Sequence, residues 1–317
     1  MTRRRSSMVS IDVDSLLDLY PDRPSDWSGE DPIYRQALPR LLDLLAAQEI
    51  PATLFVVGQD LLHPSHRAMI RRFAEAGHEV ANHSMTHPQG FRFLSRNEKL
   101  SQITEAAERI ADVAGRPPVG FRAPGWNVDE ETLEILEEQG YLYDSSIFPS
   151  WTSNFLKPAY WLARREAKNP ADRTTLGRWS YQFAPPVPYR PGRQLWHRGR
   201  RGVLEIPIAT VPWLRLPFFG TSSLWMGRRG HELCWQMVRR GARPVNYQIH
   251  GADFADPASD GIIPMLASSR KDYIPQAFQV PWERKKPLLT QTFTWLKSSF
   301  TVVTLESFAR GIKDPLS

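Results

Sequence analysis

Apolar positions along the chain fall into short continuous runs and into longer stripes at helical spacing. Residues 8–13 form a short apolar run that ends in carboxylates, which predicts a buried strand. Within residues 33–48, leucines recur every three or four positions, which predicts an amphipathic helix. By the same criteria we predict strands at 52–57, 78–81, 119–122, 203–208, 245–249 and 301–305, and helices at 65–76, 97–114, 129–139, 231–241 and 286–298, with a last short helix near the end.

This regular alternation predicts an α/β fold whose strands are parallel and joined by crossover helices. About seven strand–helix units are present, a number that favours a distorted (β/α) barrel over an open sheet. The alternation lapses at about residues 150–202, so we expect a single domain over residues 1–317 with an insertion there. In such barrels the reactive groups lie at the carboxyl ends of the strands, so the polar residues just after each strand are the candidates.

Two strand ends carry side chains that suit a metal ion. Asp12 and Asp14 close the first strand and, at spacing i, i+2, face the same side. His83 and His87 follow the third strand, at a spacing that places both imidazoles on one face of a helical turn. Either pair alone is often incidental. Two histidines with a strand-end aspartate, however, form the three-ligand pattern that zinc uses in catalytic sites.

Three further polar residues follow other strands. Arg122 can pair with a neighbouring carboxylate and keep it ionised, although an isolated Arg is more often an ordinary surface residue. Asp144 follows the next apolar pair. His250 ends a late strand, where a general acid belongs, although an isolated strand-end His is usually structural.

The order of these elements resembles that of the polysaccharide deacetylase family, also known as the NodB homology domain or carbohydrate esterase family 4. The matching motifs are Ser10-Ile-Asp-Val-Asp14, His83-Ser-Met-Thr-His87, Arg122-Ala-Pro124, Asp144-Ser-Ser and Ile249-His250. The resemblance covers roughly residues 8–310. It implies a distorted (β/α) barrel of about seven strands, in agreement with the count above, and a metal-dependent amide or ester hydrolase.

The resemblance also implies roles in catalysis. Asp12 resembles the catalytic base that removes a proton from water, and Arg122 resembles the residue that orients this base. His250 resembles the general acid that protonates the leaving amine, with Asp144 as its tuning partner.

The remaining roles concern the metal and the substrate. Asp14, His83 and His87 resemble the ligands of a divalent cation, with Zn²⁺ as the typical ion. Pro124 and Trp126 are expected to contact substrate, and a backbone N–H near Trp126 is expected to stabilise the oxyanion.

The motifs depart from the usual family pattern in three places. Val13 separates two aspartates that are usually adjacent, Gly125 and Trp126 stand where a single aromatic residue commonly follows proline, and the fourth motif lacks its usual nearby Trp. A similar Asp-x-Asp spacing occurs in branches that include peptidoglycan deacetylase-like proteins and lipid-linked aminosugar deformylases. The departures therefore bear on the substrate more than on the reaction.

The charge of the chain is concentrated in the insertion. The whole sequence of 317 residues carries a formal +6, and residues 151–202 contain eleven Lys and Arg against two acids, a net +9. The rest of the chain is therefore at −3. Trp and Tyr are interleaved with these arginines, a combination that suits an anionic membrane surface or a phosphate-linked lipid. Residues 211–219 add an apolar lip or lipid-tail groove. The alternative is that the aromatics pack the insertion onto the barrel.

Composition limits the other possibilities. The single cysteine excludes an intramolecular disulfide and any multi-Cys zinc site. Residues 1–14 have no apolar signal-like stretch, so the default expectation is a cytoplasmic protein, with peripheral contact at the inner membrane face as an open alternative. The basic insertion also allows a nucleic-acid-binding protein. No nucleic-acid-binding motif supports this alternative, however, and we expect no nucleic-acid partner.

We therefore predict a hydrolase that removes an N-acyl group, acetyl or formyl, from an aminosugar, with a lipid-linked sugar as one form of the substrate. Within the same class, the alternatives are a deacetylase of soluble glycans or oligosaccharides and an amidase on another small N-acyl substrate. A non-catalytic carbohydrate-binding protein on the same scaffold is the alternative from another class, and the intact set of acids and histidines argues against it.

Overall fold

The computed structural model describes residues 5–16, 30–152, 154, 177–262 and 279–312. Within these ranges the chain forms a curled half-barrel of parallel strands. Seven strands lie side by side in the order β6-β5-β4-β3-β2-β1-β7. An eighth pairs with the first two residues of β1. The strands are β1 (Ser6–Val13), β2 (Thr53–Val56), β3 (Glu79–Asn82), β4 (Gly120–Phe121), β5 (Tyr143–Asp144), β6 (Leu204–Glu205), β7 (Val245–His250) and β8 (Thr301–Val302).

Helices cover the outside of this sheet. They are α1 (Leu38–Gln48), α2 (Pro64–Glu75), α3 (Arg96–Ala114), α4 (Glu130–Glu138), α5 (Gly220–Arg240), α6 (Trp282–Ser299) and α7 (Leu305–Gly311). A π-helical turn, Ile33–Ala37, leads directly into α1. None of the helices in the described ranges is both long and apolar enough to cross a membrane.

The predicted α/β fold with parallel strands is confirmed, and most elements lie within a few residues of their predicted positions. The largest difference is α5, which begins at Gly220 rather than at residue 231. Gly227, with φ 62° and ψ 178°, breaks this helix internally. The residues before the break are rich in Gly and Ser, which have low helix propensity, so the sequence pattern there did not predict a helix.

The central strand β1 divides the interior into two layers. Val9, Ile11 and Val13 face the surrounding helices and belong to the largest apolar cluster, whereas Ser10 and Asp12 face the lumen of the half-barrel. At its amino end the lumen is filled by apolar residues, namely Met8, Phe55, Ala81, Tyr143, Leu204, Ile206 and Leu305. Buried polar groups occur at this end too, since the hydroxyls of Thr53 and Tyr143 donate to Glu79.

The two edges of the sheet approach each other beyond β6. The Ala209 N–H donates to the Asn246 carbonyl over 2.9 Å, and the Asn246 side chain donates to the Ile206 carbonyl. These contacts join the segment after β6 to β7. They give the sheet its curled, barrel-like form, in agreement with the predicted distorted barrel.

Part of the predicted insertion, residues 155–176, lies outside the described residues. The described part, from residue 177 to 202, is attached to the barrel by tyrosines. The Tyr181 hydroxyl donates to the Val128 carbonyl of the barrel, the Tyr189 hydroxyl donates to the Leu195 carbonyl within the insertion, and both rings are buried. Tyr189 also forms an antiparallel bridge with Glu205. These two aromatic residues therefore pack the insertion onto the barrel.

Candidate active site

The structure brings Asp14, His83 and His87 together at the carboxyl end of β1 and β3. Asp14 Oδ1 lies 3.4 Å from His83 Nε2 and 3.4 Å from His87 Nε2. One ligand atom from each residue falls within a group no wider than 4.8 Å, and all three side chains are buried. One carboxylate and two imidazoles, predicted from separate strand ends, therefore converge as a candidate metal site.

The expectation that the two histidines lie on a helical turn is wrong. Ser84 and His87 have φ values of 67° and 52°, in the left-handed region, so residues 83–87 form a tight loop. The Asn82 side-chain oxygen accepts from the Ser84 N–H, and the Ser84 hydroxyl accepts from the His87 N–H. These local bonds stabilise the loop and bring the two imidazoles to 4.9 Å between ring centroids.

The protonation pattern of His83 fits a bound cation. Its Nδ1 lies 2.7 Å from the Arg122 carbonyl, which can only accept, so Nδ1 carries the hydrogen. In the neutral ring Nε2 is then a bare lone pair that faces the acceptor Asp14 Oδ1. This oxygen is buried, and no donor of the described residues bonds to it. Acceptors placed this close require a positive charge between them, and the donor set of one carboxylate and two imidazoles suits a divalent cation such as zinc.

Electrostatics at the cluster point the same way. Burial alone raises the pKa of the Asp14 carboxyl, but the imidazoles of His87 and His83 outweigh burial and hold that pKa well below its usual range. Burial lowers the pKa of His83, while Asp14 and Asp12 raise it by more, so the net shift is upward. The aspartates thus create a field that favours positive charge at this point.

Asp12 lies beside the cluster and is held by donors on both oxygens. Arg122 Nη1 donates to Asp12 Oδ1, and Gln248 Nε2 donates to Oδ2 over 2.5 Å. His250 Nε2 lies 3.8 Å from the same Oδ2. Asp12 pairs with His250 in the register of β1 and β7, which explains why these side chains meet. The arrangement presents an oriented carboxylate next to the candidate metal site.

Arg122 is fully buried, and each of its three guanidinium nitrogens donates a hydrogen bond. Besides the bond from Nη1 to Asp12, Nε donates to the Ser145 carbonyl and Nη2 donates to the hydroxyls of Ser10 and Ser145. Its guanidinium stacks on the Phe55 ring at 4.1 Å. A guanidinium held in this way has a fixed position, so it restrains Asp12.

Sequence reasoning missed Gln248 and its neighbour on the same face, Asn246. The Asn246 side chain accepts from Ser10 and donates to Ser145, the two residues that hold Arg122. Both Gln248 and Asn246 are buried on β7. Polar residues at two and four positions before His250, in a strand otherwise apolar, were the available signal.

Asp144 does not lie where its predicted role requires. It is paired across the strands with Glu205, and its Oδ1 accepts from the Ser146 hydroxyl. In the described part of the chain no hydrogen bond or ion pair joins Asp144 to His250, so the structure does not support the expected tuning of His250. Burial raises the pKa of Asp144, and burial together with Asp144 raises the pKa of Glu205 well above its usual range. The two carboxyls therefore retain a proton between them.

Trp126 contributes an aromatic ring at this end of the sheet. Its own N–H donates to the Ala123 carbonyl over 3.0 Å, and stabilisation of an oxyanion by a backbone N–H near Trp126 stays a prediction. Pro124 opens the short helical turn Pro124–Trp126, in which Gly125 takes φ 58°. The Trp126 indole packs on Phe148 and Phe219, at 5.0 and 5.9 Å between ring centroids. It thereby forms an aromatic wall after β4.

Comparison with known proteins agrees with the motifs. The family described as Polysaccharide deacetylase matches residues 29–143. A peptidoglycan deacetylase from Helicobacter pylori is 30% identical over 126 residues, 40% of this chain and 42% of that protein. A chitooligosaccharide deacetylase from Rhizobium leguminosarum bv. trifolii is 49% identical over 92 residues, 28% of this chain and 41% of that protein. The chain thus spans less than half the length of these relatives.

The fold has a solved counterpart. A structure from Mycobacterium smegmatis, described as that of a proposed polysaccharide deacetylase, has a TM-score of 0.59 and 20% identity, and the match covers 98% of this chain and 91% of that one. The predicted resemblance to the polysaccharide deacetylase family and its NodB-like barrel is confirmed.

Proposed function

We propose that the protein is a metal-dependent hydrolase that removes an N-acyl group from an aminosugar of a glycan. The observation that carries this proposal is the convergence of Asp14, His83 and His87 within 4.8 Å, beside the doubly held carboxylate of Asp12. The two relatives named above, a peptidoglycan deacetylase and a chitooligosaccharide deacetylase, support a glycan substrate.

The chain's own residues suit each step of amide hydrolysis. When bound at the cluster, a divalent cation supplies Lewis acidity, which polarises the acyl carbonyl and acidifies water. Asp12 accepts the proton of the attacking water, since Arg122 and Gln248 orient both its oxygens. His250 has a side chain that is 27% exposed, with Nε2 3.8 Å from Asp12, and in its protonated form it donates to the leaving nitrogen.

We further propose Zn²⁺ as the ion, because the ligand set of one carboxylate and two imidazoles matches its catalytic sites. The acyl group, acetyl or formyl, stays open. The basic residues of the insertion favour a substrate that carries phosphate, such as a lipid-linked aminosugar, over a neutral soluble oligosaccharide. The cytoplasmic location expected from the sequence stays a prediction.

The test is loss of the acyl group, followed by mass spectrometry across a panel. The panel contains N-acetyl chitooligosaccharides, peptidoglycan fragments, and polyprenyl-phosphate-linked sugars with acetyl and formyl groups. We expect hydrolysis of at least one member by the zinc-loaded protein, and a fall of at least 100-fold in Asp12→Asn. Folded, zinc-loaded protein that releases no acyl group from any member would instead support the alternative of a non-catalytic glycan-binding protein.

A further inference from the structure

Three segments of the chain expose large apolar side chains at one place. Trp213 and Leu214 are 73% and 48% exposed, Trp179 and Phe183 are 64% and 58% exposed, and Trp151 is 42% exposed. We call the surface formed by these five residues the aromatic face. Isolated exposed apolar residues are ordinary, but a contiguous group of this size marks an interaction surface.

Hydrogen bonds show that the aromatic face is contiguous. The Trp151 indole N–H donates to the Leu214 carbonyl over 2.7 Å. Arg215 Nη1 donates to the carbonyls of Gln182 and Ala184, which flank Phe183. The tip of the 211–215 loop is thereby tied to both of the other segments.

Backbone strain presents Trp213 outward. Trp213 and Arg215 have φ values of 63° and 50°, in the left-handed region that bulky residues rarely adopt. The ends of the same loop are fully buried, with Val211 and Phe218 in the core. In the apolar lip predicted from sequence, the exposed large apolar residues are therefore those of the tip, Trp213 and Leu214. A strained tip that exposes Trp and Leu between buried anchors is the kind of feature that persists for a function.

Exposed positive charge lies on the 190–201 segment, which is connected to the aromatic face. Arg193, Arg198 and Arg200 are exposed, and none forms a salt bridge with a carboxylate of the described residues. Glu130 links the 190–201 segment to the aromatic face, because it accepts from the Leu195 N–H and from Arg178, the neighbour of Trp179. Arg201, by contrast, bonds to Glu134 and Glu137 and has a structural role.

The aromatic face is also held at residue 154, whose side chain donates to the Trp179 carbonyl at one end of the face. Exposed Trp, Leu and Phe beside a segment with exposed Arg is the combination that binds the headgroup region of an anionic bilayer.

We propose that the aromatic face is a membrane-contact surface that inserts Trp213 and Leu214 into the interface of an anionic lipid bilayer. The face continues toward the candidate active site, since Trp151 follows Phe148, which packs on Trp126. The idea that this face also guides a lipid-linked substrate to the site rests on the proposed function. The membrane contact itself does not rest on it, because binding to vesicles requires no catalysis.

The experiment is flotation of the full chain with vesicles of phosphatidylcholine, alone or containing phosphatidylglycerol. We expect wild-type protein to float with the anionic vesicles at low salt and to be released at high salt. Trp213→Asn with Leu214→Ser should weaken binding tenfold or more, because these side chains lose their apolar burial. Asparagine is chosen at 213 because it tolerates left-handed backbone.

A second variant tests the charge, and two more serve as controls. Arg193→Gln with Arg198→Gln and Arg200→Gln should reduce the affinity for anionic vesicles by about 100-fold. Leu233→Ser, at a leucine on α5 that is 69% exposed, should bind as wild type. Asp12→Asn should also bind vesicles as wild type does. Vesicle binding and hydrolysis can therefore fail independently of each other, and the two proposals are tested separately.

Three outcomes overturn the inference. The first is wild-type protein that stays unbound on anionic vesicles at low salt. The second is binding that the Trp213 and Leu214 variant retains in full, with circular dichroism showing that all variants are folded. The third is saturable binding of a soluble chitooligosaccharide that this variant loses, without any vesicle binding, which would assign the aromatic face to glycan instead.

Discussion

At the scale of single residues, the site depends on how Asp12 is held. A carboxylate beside a cation site can rotate to become a ligand itself, unless donors fix its oxygens. Arg122 and Gln248 supply those donors, one to each oxygen, and both are fully buried. Arg122 was evident from its motif, whereas Gln248 became evident only from the register of β1 with β7.

Gln248 should therefore act as a positioning residue for Asp12. In Gln248→Leu we expect kcat to fall about 10–100-fold with KM nearly unchanged, because loss of a supporting hydrogen bond disorders the base. Zinc affinity should stay within a few-fold of wild type. Gln236→Leu, at a glutamine that accepts from Arg239 on the surface of α5, is the matched control. Unchanged kcat in Gln248→Leu contradicts the role.

At the scale of elements, buried ion pairs fix the helices that follow the site. Lys99 on α3 is almost fully buried, and its Nζ lies 2.7 Å from both Asp129 and Glu131. Asp129 is also the N-cap of α4, since it accepts from the Thr132 N–H. One lysine thus connects α3 to the start of α4, the helix that follows the Arg122 loop.

Removing this lysine should destabilise the fold. We expect Lys99→Met to lower the free energy of unfolding in urea by about 3 kcal/mol, because Asp129 is left as a buried charge without its partner. Arg96→Met, on the same helix, breaks an exposed pair with Glu138 and should cost about 0–1 kcal/mol. Equal losses in the two variants would show that Lys99 contributes no more than a surface pair.

Elements with strong periodicity could be predicted from the sequence, and local backbone conformation could not. β1, α1 and α3 were predicted closely because their apolar spacing is regular. The loop at His83 and His87 was predicted as a helical turn because i, i+4 spacing carries no information about positive φ. The contact between Glu205 and Asp144 could not be predicted from the sequence either, because only the pairing of β5 with β6 places these residues side by side.

At the scale of the whole molecule, the carboxyl pair of Asp144 and Glu205 should give stability a distinct pH dependence. Both residues are fully buried, and burial raises both pKa values above those of the unfolded chain. The native state therefore binds a proton that the unfolded state releases. The contribution of this pair to stability should be greatest below the unfolded pKa of about 4.5 for Glu and should decline as pH rises toward the native pKa.

Glu205→Gln tests this dependence, because the amide imitates a protonated carboxyl. We expect its stability to fall less than that of wild type between pH 5 and pH 8, by about 1–2 kcal/mol, in urea unfolding at each pH. Glu138→Gln, at an exposed glutamate, should leave the slope unchanged. If the stability of Glu205→Gln varied with pH as steeply as that of wild type, the pair would not hold the proton.

The central claim is that Asp14, His83 and His87 bind one divalent cation, and zinc titration by calorimetry on metal-stripped protein tests it most directly. We predict one zinc ion per chain for wild type and for Asp12→Asn, because both oxygens of Asp12 already accept from Arg122 and Gln248. Asp14→Ala and His83→Ala should lose this binding. Folded wild-type protein that binds no zinc, or ligand variants that bind it as tightly as wild type, would contradict the claim.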